Sequence, residues 1–194
     1  MKKLLILSCL LVLGKRGMAQ ADKDSTALAK RLDIFMEYNS KMDFEKIMDC
    51  IYPKLFTLAP KADIQASMEE AFTNENLSVK MDSLKVVKVY PLFNEGKNKY
   101  ARVTYSMLML MTPKINEGDS INISSFLEMM QRRYGNENER LDKTGKTVII
   151  FQKVDMASIL DNLSPEWTFL NINKEDPAME MLLSKELLTR FYKN

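Results

Sequence analysis

The sequence predicts an α+β fold in which N-terminal helices pack on an antiparallel sheet and short helices close the chain. Three observations predict it. Apolar residues recur at helical spacing up to about residue 72. Beyond Asn74 they alternate singly, in runs rich in β-branched and aromatic residues. The breaks between those runs are short enough to join antiparallel neighbours, and no linker separates two domains.

The helices come first. Asp24 or Ser25 is suited to cap a helix carrying Leu28, Leu32, Phe35 and Met36 to about Lys41. Asp43 caps a second, with Phe44, Ile47, Met48 and Ile51, which Pro53 stops. "YPKLFTLAP" is a bend. A third helix follows from about Lys61 to Phe72, with Ile64, Met68, Ala71 and Phe72 on one side.

Strands follow. Val79 and Met81 alternate with Ser78, Lys80 and Asp82, and "SLKVVKVYPLF" continues in extended form. "NEGKN" then turns the chain into "KYARVTYSMLMLMTP", making a long hairpin. A helix from about Ile123 to Tyr134 ends at Gly135, a position that favours left-handed backbone. "ERLDKTGKTVIIFQKV" is a second hairpin and "EWTFLNI" a last strand. Pro177 opens a short helix, and Ser184 caps the C-terminal one.

The first residues read differently from the rest. Lys2 and Lys3 precede an apolar run, Leu4 to Leu13, and Gly17-Met18-Ala19 offers a small-x-small cleavage site before Gln20. Residues 1–19 are therefore expected to be a secretory signal peptide, and residues 20–194 a single domain that is periplasmic or extracellular. "ILSC" resembles a lipobox, but too few apolar residues precede Cys9 for a lipoprotein signal, so lipidation there is disfavoured. No other apolar run reaches the length of a membrane span. Four of the 28 basic residues lie in the signal and none of the 26 acidic ones, leaving 24 bases against 26 acids. A near-neutral chain without a basic run points away from nucleic acid as a partner.

Composition also narrows the chemistry. The chain has no His, so His-based triads, facial triads and most catalytic zinc sites have no residues to build them. After cleavage Cys50 stands alone, in an apolar helical pattern that suits a buried, inert thiol. The carboxylate pairs Glu69-Glu70, Glu137/Glu139 and Glu175-Asp176 read as solvated faces or helix starts, with "RRYGNENERLD" a solvated loop of mixed sign. "DKTGKT" lacks the first glycine of a phosphate loop and sits between strands, so it is a hairpin turn. No residue is assigned a catalytic role, and no cofactor or metal is expected.

"YSMLMLMTP" poses the sharpest question, with Met107, Met109 and Met111 at every second position. Side chains alternate across a strand, so Ala101, Val103, Tyr105, Met107, Met109 and Met111 share one face. Thioethers suit soft metals, and a Met-based soft-metal carrier is one reading. The other, which the apolar company favours, is core, since Met fills irregular gaps. Met36, Met48, Met68, Met129, Met130, Met179 and Met181 likewise fall on helical apolar faces. Tyr38, Tyr52, Phe56, Phe72, Tyr105, Trp167 and Phe169 are expected to converge where helices cover the sheet. That interior is either filled solid or holds a small apolar ligand against Tyr38, Phe56, Tyr105, Met107, Met109 and Trp167.

The order of three helices, long hairpin, inserted helix, second hairpin and final Trp strand resembles the nuclear-transport-factor-2-like superfamily. The segments "LDIFMEYNSKMDFEKIMDCIYPKLF" and "IQASMEEAF" carry the likeness, and "EWTFLNINKEDPAMEMLLSKELLTRF" is similar to uncharacterised exported bacterial members. The resemblance implies a strongly curved, cone-like antiparallel sheet wrapped on helices around a cavity. Enzymatic members are dehydratases, isomerases and cyclases that use an Asp, His or Tyr there; without His, only a buried carboxylate with Tyr remains open. Many members dimerise through the sheet's outer face. Here Leu108, Leu110, Ile149 and Phe151 alternate outward, to meet either a second copy or the C-terminal helices. The expected activity is thus an exported, non-enzymatic ligand-binding or interaction module.

Overall fold

Leu28, Leu32 and Phe35 form one stripe along helix α1, which runs through residues 23–41, and all three are buried. The structure, a computed structural model, describes residues 23–114 and 122–193. The expected signal segment, with Cys9, lies outside the described residues. Residue 23 is helical, so Asp24 and Ser25 lie inside α1 instead of preceding it as its cap. The Asp24 carboxylate is used differently, accepting from Lys99 Nζ at 2.7 Å.

Asp43 caps α2 (Phe44–Met48) as its sequence position suggests, accepting from the Lys46 N–H at 3.3 Å. The helix ends at Met48, short of Ile51. The Cys50 carbonyl and the Tyr52 N–H are drawn into pairing with Phe169, at 2.8 and 2.9 Å, and that long-range pairing wins over helix continuation. The bend after it is a short 3₁₀ turn, Pro53–Thr57. Helix α3 (Lys61–Thr73) follows, with Ile64, Met68 and Phe72 inward and Ala71 exposed.

The sheet is built of β1 (Leu77–Val89), β2 (Phe93–Glu95), β3 (Asn98–Pro113), β4 (Glu139–Leu141), β5 (Val148–Leu160) and β6 (Thr168–Asn171). Every pairing between these strands is antiparallel. The order is β1-β3-β5-β4, with β2 also on β3 and β6 also on β5. The sheet is open and curved. Its curvature has a visible cause: β1 carries register shifts at Asp82/Lys85 and Val86/Lys88, the first around Ser83 with φ 51°. An extra residue on one strand bends it and increases its twist.

Alternation divides the core. Ala101, Val103, Tyr105 and Met107 of β3 join Met156, Trp167 and Phe169 on the inner face, beneath α1, α2 and α3. Farther along that face, Met109, Val148 and Ile150 pack under α4 (Ile123–Tyr134) with Phe126 and Met130. On the outer face Tyr100, Ala157, Ile159 and Leu170 are covered by α5 (Met179–Leu182) and α6 (Lys185–Lys193). Tyr52 packs here, not with the inner aromatics as expected, because its N–H is tied to the Phe169 carbonyl and its hydroxyl donates to Asp161 at 2.9 Å. Two methionines also depart from expectation: Met129 is 48% exposed and Met181 64%. On α4 the inward positions go to Phe126 and Met130, four apart, and on α5 to Met179 and Leu182.

Polar ties lock both layers. Arg31 Nε donates to the Trp167 carbonyl at 3.2 Å and its Nη2 to the Asp49 carbonyl at 3.0 Å, joining α1 to the sheet and to the end of α2. On the other side Arg102 donates to the Phe191 carbonyl at 3.0 Å and pairs with Asp155 at 3.2 Å, holding α6 down. Phe191 is fully buried against Phe93 and Tyr100. Phe191→Ala is expected to cost about 3–5 kcal/mol of unfolding free energy, measured by urea denaturation. A loss below about 1 kcal/mol would mean that α6 is not integral to the fold.

Candidate functional site: the open end of the sheet

Tyr105, Met107 and Trp167 come together in the inner cluster, with Tyr38 and Phe56 packed on its border. Met109 falls in the neighbouring cluster under α4, and Met107 touches both. The methionine stripe thus packs along two adjoining clusters, with Met109 buried and Met107 and Met111 half-buried. Within the inner cluster two polar atoms have no hydrogen-bond partner, Trp167 Nε1 and Ser158 Oγ. The Tyr105 hydroxyl donates to Asn171 Oδ1 at 3.2 Å, and burial pushes its pKa up. Cys50 is completely buried in the same cluster, and burial raises its thiol as well.

Helices α5 and α6 cover one end of the outer face and leave the other end bare. There Leu108 pairs with Phe151 and Leu110 with Ile149. Lys80 extends the Leu110–Ile149 row on one side and Arg140 on the other; Asp82 flanks Leu108. Phe151 is 39% exposed and the other three apolar side chains are half-buried. Beside them Leu108, Ile149, Phe151 and residues 137–140 line a hollow of about 230 Å³. The result is an apolar centre with a charged rim.

Between α4 and this edge lies the one buried acidic side chain among the described residues. Glu139 is 7% exposed, and neither carboxylate oxygen has a hydrogen-bond partner. The "NENER" segment reads as solvated, and Glu137 is indeed exposed. Glu139 departs from that reading because β4 pairs Glu139 with Ile150 and Leu141 with Val148, turning both side chains to the inner face. The period-two spacing of Glu139 and Leu141, in the first strand of the expected hairpin, was the available signal, and it conflicted with reading the same residues as a solvated loop. Desolvation raises the Glu139 pKa from its ordinary value, against a smaller opposing effect of its own backbone N–H.

The remaining sequence candidates are solvent-facing or structural. Glu69 and Glu70 are exposed, and Asp176 accepts from the Ala178 N–H at 2.9 Å at a helix start. Asp142 gathers Thr144, Lys146 and Thr147 in the "DKTGKT" turn, which lowers its pKa, and Gly145 there has φ 69°. Among the described residues no group of three or more Cys, Asp or Glu side chains is placed to hold a metal. No described helix is long and apolar enough to cross a membrane. No protein-family model, curated protein or solved structure matches the chain.

Glu139 gives a pH-dependent expectation. Its native pKa is raised, so the native state binds the proton more tightly than the unfolded chain. The protein therefore loses stability as pH rises from the ordinary carboxylate pKa through the raised one, and the full cost stands above it. Glu139→Gln is expected to stabilise by about 1 kcal/mol at neutral pH, with the gain vanishing below about pH 4. Thermal unfolding followed across that range checks it; a gain independent of pH would contradict the assignment. Cys50, for its part, is expected to resist a thiol reagent in the native protein and to be labelled fully in denaturant, read by peptide mass.

Proposed function

We propose that the chain is an exported, non-enzymatic interaction module of the nuclear-transport-factor-2-like type, and that it self-associates through the bare end of its outer sheet face. One observation carries this reading: Leu108, Leu110, Ile149 and Phe151 form a contiguous apolar patch that α5 and α6 stop short of. Apolar patches rimmed by polar residues are characteristic of interaction surfaces. The rim carries both signs, Lys80 and Arg140 against Asp82 and Glu137, so a second copy can meet it with opposite charges facing. Helices preceding a curved antiparallel sheet support the superfamily reading, and the sequence of residues 1–19 supports export.

Sedimentation velocity of residues 20–194 over a concentration series tests the proposal. Dimers are expected, with at least tenfold weaker association for Phe151→Lys and no change for Val87→Lys, which alters an exposed residue outside the patch. A monomer at every concentration would overturn it.

A second reading has an observation of its own. Trp167 Nε1 and Ser158 Oγ are unpartnered in an otherwise apolar inner cluster, and such groups suit a small, mainly apolar ligand with one polar atom. Native mass spectrometry of protein recovered from its own envelope fraction, without refolding, is expected to show an added small molecule that Trp167→Phe loses. A bare mass in the wild type would remove this reading.

A further inference from the structure

Five thioethers and one unpaired carboxylate meet the same stretch of the inner face. The register gives one row across four strands, Met81–Met109–Ile150–Glu139. Met111 lies in the next row, opposite Val148, and Met107 in the one before, opposite Gln152. Met130 descends from α4 into the cluster that holds Met109 and Ile150, with Met107 and Met111 packed against it. Adjacent strands lie about 4.8 Å apart, so Glu139 and Met109 flank Ile150 with backbones roughly 10 Å from each other. Side chains as long as Glu and Met can span that distance, and Met130 of α4 belongs to the same cluster as Met109 and Ile150.

An apolar core explains the methionines alone, but not Glu139. A carboxylate with no partner outside its own residue and almost no solvent contact is costly, and buried anions are normally paired or bound to a metal. The described ion pairs do not include it, and Arg132 and Arg133 of α4 are exposed. What the site lacks is one positive charge. We propose that this cluster binds a single soft monovalent cation, Cu(I) or Ag(I), with Met109 and Met130 as thioether ligands and Glu139 as the anionic ligand.

Ligand softness and charge both favour this choice. Thioethers select soft ions and disfavour calcium or magnesium, which take all-oxygen shells. One carboxylate with neutral sulfur ligands balances the charge of a monovalent ion, whereas a divalent one would leave a net charge in an apolar interior. The inference is independent of self-association, which uses the opposite face of the sheet.

The test is competition with a chromophoric Cu(I) chelator under reducing, anaerobic conditions. It uses residues 20–194 in a Cys50→Ala background so that no thiol competes, with the fold checked by near-ultraviolet circular dichroism. One equivalent of Cu(I) is expected to bind. Glu139→Gln is expected to weaken binding at least tenfold, and Met109→Leu with Met130→Leu to abolish it. Met36→Leu with Met68→Leu, in the other inner cluster, should leave it unchanged. Leucine conserves volume well enough for folded variants. No stoichiometric binding by the wild type, or wild-type affinity in Glu139→Gln or in the Met109/Met130 variant, would overturn the proposal.

Discussion

The structure depends on one constraint, the two-residue period of β3. This strand is paired on both sides, to β5 on one and to β2 and then β1 on the other, so its register fixes that of the sheet. Odd positions from Ala101 to Met111 go inward, and even positions from Arg102 to Leu110 go outward. A slip by one residue would place Arg102, Thr104 and Ser106 under the N-terminal helices. It would also expose the methionine stripe. The helices, in turn, need only present apolar stripes to a surface already defined.

Because both faces of the sheet are partly covered, polar groups on it are held to strict terms. Arg31, the terminal nitrogens of Arg102 and the Tyr52–Asp161 pair meet those terms with carbonyl, carboxylate and hydroxyl partners that tie one layer to the next. Such bonds add little net stability each, but leaving any partner alone would be costly. Glu139, Trp167 and Ser158 contrast with them. Their unpaired atoms lie at the two inner clusters, where the fold gives up some stability. Natural sequences usually break local rules in this way at sites of function.

The sheet's free margins are handled by different means. The outer edge of β1 carries Lys80, Lys85 and Lys88 together with two register shifts, features that discourage pairing with a foreign strand. On the β5 side the edge is divided between β4 and β6, so little of it is left open. Neither device acts on the outer face between them. Among the described residues, the face at Leu108, Leu110, Ile149 and Phe151 therefore stands out as a contiguous uncovered apolar patch of the sheet.

The amino-acid sequence by itself determined the fold class, the order of elements and the inward set of β3. These follow from local periodicity and from turn and cap residues such as Asp43, Gly145 and Ser184, whose effects reach only a few positions. It also read Cys50 and the methionine stripe as core. Only the tertiary structure decided that α2 yields to pairing with Phe169, that Tyr52 serves the outer cluster, and how much of the outer face α5 and α6 cover. The fate of Glu139 belongs with these. The hairpin was legible, but a three-residue strand is too short to show by itself which of its side chains face inward; that is set by its pairing with Ile150 and Val148 over the inner cluster.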